Sequence, residues 1–243
     1  MEQDARSDQP SEAPGASEAS EQPPLAALEV LAVQEAAITD ALTHVELFTL
    51  RGLLTVLWHG PRDPSQVVLA CGGAMGGLLG PADGLYHDLG TSFADRGIAT
   101  LRVGWRKPND LERSTHDLVA AADLAFRSGG RRFVTIGHSF GGAIALRAGI
   151  MLGDQCRGVV TLSTQSAGCE VADQLPPTPL LLFHGDRDEL LPVAASRAVQ
   201  QLAGGEGELV VLPATGHLLT EAGAVLRERL STWIPDRLAE EAP

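Results

Sequence analysis

Three short stretches carry residue types and spacing that could do chemistry together. In the first, Phe133-Val134-Thr135-Ile136 runs into Gly137-His138-Ser139-Phe140-Gly141-Gly142 and on into Ala143-Ile144-Ala145-Leu146. This is Gly-x-Ser-x-Gly between a β-prone run and a small-residue run, a pattern that holds a serine at the tip of a tight turn. In the second, Leu180–Phe183 ends in His184-Gly185-Asp186-Arg187-Asp188-Glu189-Leu190-Leu191-Pro192. In the third, Leu209–Leu212 ends in Pro213-Ala214-Thr215-Gly216-His217. A nucleophilic serine needs a base, and the base needs an acid to orient it. Ser139, Asp188 and His217 supply those types, each just after an apolar run. Asp186 is the second choice for the acid. Each has a plain structural alternative: a serine cap, a turn acid and a loop histidine.

Acyl transfer also needs donors for a developing alkoxide. The backbone N–H of Phe140, next after the serine, is one candidate. The turn Cys71-Gly72-Gly73-Ala74-Met75-Gly76-Gly77 offers another, Gly73, with Ala74 next. No G-x-G-x-x-G can be drawn through 72–80, and no G-K-[ST] occurs, so neither a dinucleotide fingerprint nor a P-loop is present. His138 and His184 have no HExxH-type partner, and no metal or other cofactor is expected.

The elements that must position these groups alternate along the chain. Strand-like runs at 67–70, 98–103, 133–136, 159–162, 180–183 and 209–212 are separated by helical patterns near 82–95, 111–127, 140–152, 193–203 and 221–237. Continuous apolar strands between helices imply a mostly parallel sheet covered on both faces. In such a sheet the ligand site lies at the carboxyl ends of the strands, where all three stretches fall. Before this region, 44–50 and 53–58 read as a hairpin split by Arg51-Gly52. Residues 25–43 fit either a helix or an early strand.

In the order Ser139, Asp188, His217, with each motif at a strand end, the chain resembles the α/β-hydrolases over roughly residues 44–238. That resemblance implies an α/β fold with a mostly parallel eight-stranded sheet. It places the nucleophile on Ser139, the acid on Asp188 of H-G-x-x-D, the base on His217, and the oxyanion donors on Gly73 and Phe140. It makes His138 and His184 structural. Cys71 departs from the histidine that many relatives have there, and reads as a small buried hydrophobe. The 164–178 connection is too short for the lid that many members carry, which implies an open site for small acyl groups. Cys169 and Glu170 on that connection read as surface loop, with lining of the pocket as the alternative. Trp105 reads as pocket wall or packing, and Asp117 as structural.

Composition bounds the rest. The 243 residues carry a net charge of −13, which argues against nucleic-acid binding. No apolar run approaches a membrane span, and the start, MEQDARSDQ, lacks a signal peptide's apolar region. Three cysteines are too few for a disulfide scaffold. A cytoplasmic enzyme without a membrane or nucleic-acid partner is expected, with a small-molecule ester or thioester as substrate and the oligomeric state open. Residues 1–24 hold six acidic residues, one arginine and no large apolar side chain after Met1, so a disordered acidic tail is expected before a domain at 25–240. Within the resemblance, a serine at 139 excludes the chemistries that use aspartate or cysteine there. A peptidase, a lyase or perhydrolase on the same triad, and a non-catalytic binding protein remain as alternatives.

Overall fold

The computed structural model describes residues 23–240. The expected tail, 1–24, falls outside them except for Pro23 and Pro24. Among the described residues, nine strands form one sheet: β1 (Val30–Thr39), β2 (Leu42–Thr49), β3 (Gly52–His59), β4 (Gln66–Cys71), β5 (Ala99–Val103), β6 (Arg132–His138), β7 (Cys156–Leu162), β8 (Leu180–Gly185) and β9 (Glu208–Leu212). Their order is β1-β2-β3-β5-β4-β6-β7-β8-β9. From β5 through β9 the pairs are parallel, while β1, β2 and β3 join as antiparallel neighbours. The sheet has one strand more than the eight expected. The segment that fitted either helix or strand is β1, an edge strand exposed along nearly its whole length. With neither face buried, it carries no apolar alternation to mark it.

The continuous apolar runs have a simple cause. Alternate side chains of each central strand enter two different cores. Val67, Leu69 and Cys71 of β4 face α2 (Leu111–Arg127) and α3 (Phe140–Leu152), while Val68 and Ala70 face α1 (Pro81–Ala94) and α5 (Gly223–Ala239). β8 divides in the same way, Leu180 and Leu182 against Leu181 and Phe183. The remaining helix, α4 (Val193–Leu202), contributes Val199 to the first core.

Along the chain, β4 is followed by β5 on one side of it and by β6 on the other. The helices therefore change faces between β4 and β6, and the loops after these strands splay apart at their carboxyl ends. Cys71-Gly72-Gly73 and Gly137-His138-Ser139 meet at that point. No helix among the described residues is long and apolar enough to cross a membrane. The β7–β8 connection, residues 163–179, holds only a single short 3-10 turn at Ala172–Gln174 and no cap domain.

Candidate active site

Ser139 sits between β6 and α3 with φ 57° and ψ −118°. A non-glycine residue at such angles costs on the order of 1–3 kcal/mol, so its surroundings must impose them. Glycines do so by contact. A Cβ on Gly137 would lie 1.9 Å from the carbonyl oxygen of Gly141, and one on Gly141 would lie 2.3 Å from that of Gly72. No side chain fits at either position. The turn is pinned by Ser139 N–H donating to Leu162 O at 2.8 Å and by Gly142 N–H donating to Ser139 O at 3.0 Å. As the first residue of α3, Phe140 has an N–H with no acceptor inside the helix.

The glycine turn after β4 lies beside this serine. A Cβ on Gly73 would be 3.7 Å from Ser139 Cβ and 3.9 Å from His138 Nδ1. Gly73 O accepts from Gly76 N–H at 2.9 Å and from Trp105 Nε1–H at 2.9 Å. Trp105 thus braces this turn, a role the sequence did not single out. The neighbouring Arg106 forms a buried ion pair with Asp117, which also accepts from Arg106 N–H at 3.0 Å. Cys71 is fully buried, its thiol 3.4 Å from Gly141 O, and burial pushes its ionisation far up. Cys169 is also buried, packed in the first core rather than on the surface as expected, with its thiol pushed up to about 12 by burial. The short 163–179 connection folds inward there: a Cβ on Gly168 would meet Leu111 and Ala143. Glu170 is exposed.

The structure brings Asp188 and His217 together, with His217 Nδ1 2.7 Å from Asp188 Oδ2. Asp188 Oδ1 accepts from Leu190 N–H at 2.9 Å and Leu191 N–H at 2.8 Å. Burial alone would raise this carboxyl. The hydrogen bonds from Leu191, His217 and Leu190 outweigh it and hold Asp188 below its ordinary range. Asp186 has a different place: its Oδ1 is 3.4 Å from Thr215 N, so it ties the two loops and leaves the histidine to Asp188.

His217 is held from behind. His138 Nε2 is 2.9 Å from His217 O, and the two rings lie 4.9 Å apart. A carbonyl can only accept, so His138 carries its proton on Nε2. Burial lowers its pKa to about 4, which keeps it neutral. With Nδ1 donating to Asp188, the Nε2 of His217 keeps its lone pair. No hydrogen bond joins that nitrogen to Ser139 Oγ, and such contacts often tighten only when substrate binds. His184, expected to be structural, sits behind Asp188 together with Ser196, which the sequence did not single out. Among the described residues, no group of three or more His, Cys, Asp or Glu is arranged to hold a metal ion.

Exposed apolar side chains follow the site residues along the chain. Met75 and Leu79 follow β4, Leu190 follows Asp188, and Leu218 follows His217, all between 62% and 85% exposed. A separate cavity of about 700 Å³ opens at the other end of the sheet, lined by Gly153, Cys156, Leu175, Pro177, Pro179 and others. Its one thiol, Cys156, is pushed up to about 12 by burial, so that cavity holds no activated nucleophile.

Comparison with known proteins bears on the fold. A family model described as Phospholipase/Carboxylesterase matches residues 113–222. Among solved structures, dienelactone hydrolase from Anabaena variabilis superimposes with a TM-score of 0.69 at 19% identity, over 85% of this chain and 99% of that one. A serine hydrolase without a lid from Xanthomonas campestris gives 0.68 at 18%, over 85% and 99%. The chain has the α/β-hydrolase fold. Est1E from Butyrivibrio proteoclasticus also superimposes on this chain, with a TM-score of 0.67 at 18% identity over 81% of this chain and 99% of that one. No curated protein matches the sequence significantly.

Proposed function

We propose that this α/β-hydrolase is a serine esterase that cleaves carboxylic esters or thioesters of small acyl groups through an acyl-enzyme. The observation that carries the reading is the Asp188–His217 pair, 2.7 Å apart, on loops flanking a strained turn that presents Ser139. Nε2 of His217 takes the proton from Ser139 Oγ as the oxygen attacks the substrate carbonyl. The N–H groups of Phe140 and Gly73 receive the developing alkoxide, each worth roughly 3–4 kcal/mol in the transition state. The tetrahedral species collapses when protonated His217 gives its proton to the leaving alkoxide or thiolate. Water then attacks the acyl-enzyme, with His217 as base, and frees the acid and Ser139. Asp188 fixes the tautomer of His217 and stabilises its charged form.

Two features support a small acyl group. The β7–β8 connection carries no cap that could enclose a long chain. The exposed Met75, Leu79, Leu190 and Leu218 give a substrate a shallow apolar edge rather than a tunnel. A non-catalytic binding role accounts poorly for the strain at Ser139, since a backbone outlier of that cost is retained where geometry at that residue matters.

A series of p-nitrophenyl esters from acetyl to palmitoyl tests the reading. Turnover should be highest for the shortest chains and absent in Ser139→Ala. A preference for palmitoyl would overturn the small-acyl assignment, and equal turnover in the variant would overturn the mechanism.

A further inference from the structure

Asp188 is shared between two imidazoles. His184, four residues earlier at the end of β8, lies with Nε2 3.2 Å from Asp188 Oδ2, the same oxygen that accepts from His217. The side chains of both His184 and Asp188 are fully buried. His184 Nε2 is also 3.0 Å from Leu191 O, so this nitrogen faces two acceptors and no donor. It must carry a proton. The other nitrogen, Nδ1, is 2.7 Å from the hydroxyl of Ser196 on α4, also fully buried. The hydroxyl then donates to Nδ1, which locks the ring in one orientation and one tautomer.

We propose that His184 is a positioning residue for the reaction: oriented by Ser196, it donates Nε2–H to Leu191 O and holds that nitrogen against Asp188 Oδ2, and thereby sets the carboxylate against His217. This rests on the reading of Ser139, Asp188 and His217 given above. The row Ser196–His184–Asp188–His217 crosses from α4 through the end of β8 to the loop after β9. It ties the acid to a rigid helix rather than to the exposed loop 186–192. The Nε2–H dipole of His184 lies beside a carboxylate that accepts from Leu190 N–H, Leu191 N–H and His217 Nδ1–H. A carboxylate without that neighbouring dipole presents more negative charge to its donors. Removal of the His184 N–H would therefore favour the protonated form of His217, and activity would fade at a higher pH on the acid side. The other ionisable groups around the pair are His138 against His217, Asp186, Arg187 and Glu189 on the acid loop, and Glu221, whose carboxylate accepts from Gly216 N–H. None of them donates to Asp188.

The test is the pH profile of kcat/KM for a short-chain ester in wild type, His184→Phe, His184→Gln and Ser196→Ala. His184→Phe should lower kcat roughly fivefold, the size of one ordinary polar contact, and move the acid limb to higher pH. His184→Gln keeps an N–H near the Nε2 position, and should restore most of the rate and return the limb. Ser196→Ala frees the ring without touching the carboxylate, and should move the limb the same way by less. If His184→Phe does not fold, His184→Gln and Ser196→Ala still decide the question. A Ser139-dependent rate whose acid limb stays fixed in the folded variants would overturn the role of His184 alone. A wild-type rate that persists in Ser139→Ala would instead overturn the reading of the whole site.

Discussion

The two halves of the site are held by different forces. On the nucleophile side, position is set by excluded volume. Gly137, Gly141 and Gly72 lie so close that carbonyl oxygens occupy the space a Cβ would need. On the Asp188–His217 side, position is set by polar contacts: three donors converge on Asp188 with the His184 ring against it, and His138 and Asp186 anchor the loop that carries His217. A packed turn has no titratable part and fails only when atoms are added. A hydrogen-bonded array keeps its shape under conservative substitution but loses its chemistry, and it responds to pH.

The sharpest way to break this contrast is to add one methyl group. Gly137→Ala should cost at least about 4 kcal/mol, the range of severe core disruption, and lower Tm by roughly 10 °C or more in a scanning-calorimetry comparison. A stable, active Gly137→Ala protein would show that the turn is not sterically set. On the other side, Asp188→Asn should lower Tm by less than Gly137→Ala does while kcat falls by roughly 10⁴-fold, because an amide no longer fixes the tautomer of His217. A large Tm loss with modest loss of rate would reverse the assignment of forces.

Acid should reach the polar side first. His138 and, beneath α1, His59 both have pKa values lowered to about 4, chiefly by burial. The unfolded chain takes up these protons near 6.5, and the folded one only near 4. Folding stability is therefore full above 6.5 and declines as pH falls towards 4, by about 3 kcal/mol for each histidine. Asp188, with its pKa held down, loses its contribution only at still lower pH. Urea unfolding between pH 7 and 4 measures the slope, and His59→Phe should remove close to half of it. An unchanged slope would place the titration elsewhere. The smallest effect is expected at the brace of the glycine turn. Trp105→Phe removes the donor to Gly73 O and should cost about 1 kcal/mol, or roughly fivefold in kcat, with KM little changed.

Much of this was legible in the sequence because local signals and tertiary roles coincide there. The 111–127 helix begins at Asp110, which caps the N–H of Arg113, and the elbow glycines mark a close approach that only glycine allows. Residues 30–39 were illegible because an edge strand exposed on both faces has no periodicity to show. The choice between Asp186 and Asp188 depends on which carboxylate turns inward, and two residues of spacing do not settle that. His184 and Ser196 are twelve positions apart on different elements, so their contact exists only after α4 packs on β8. Cys169 was misplaced for the same reason: a short polar connection reads as surface until it folds against α3.

The central claim is that Ser139 is a nucleophile activated by His217. A fluorophosphonate probe, followed by intact-mass measurement, tests it most directly. Wild type should gain one adduct on Ser139, His217→Ala should label slower by roughly 10³-fold or more, and Ser139→Ala should not label. Equal labelling of wild type and Ser139→Ala, or no labelling of wild type, would contradict it.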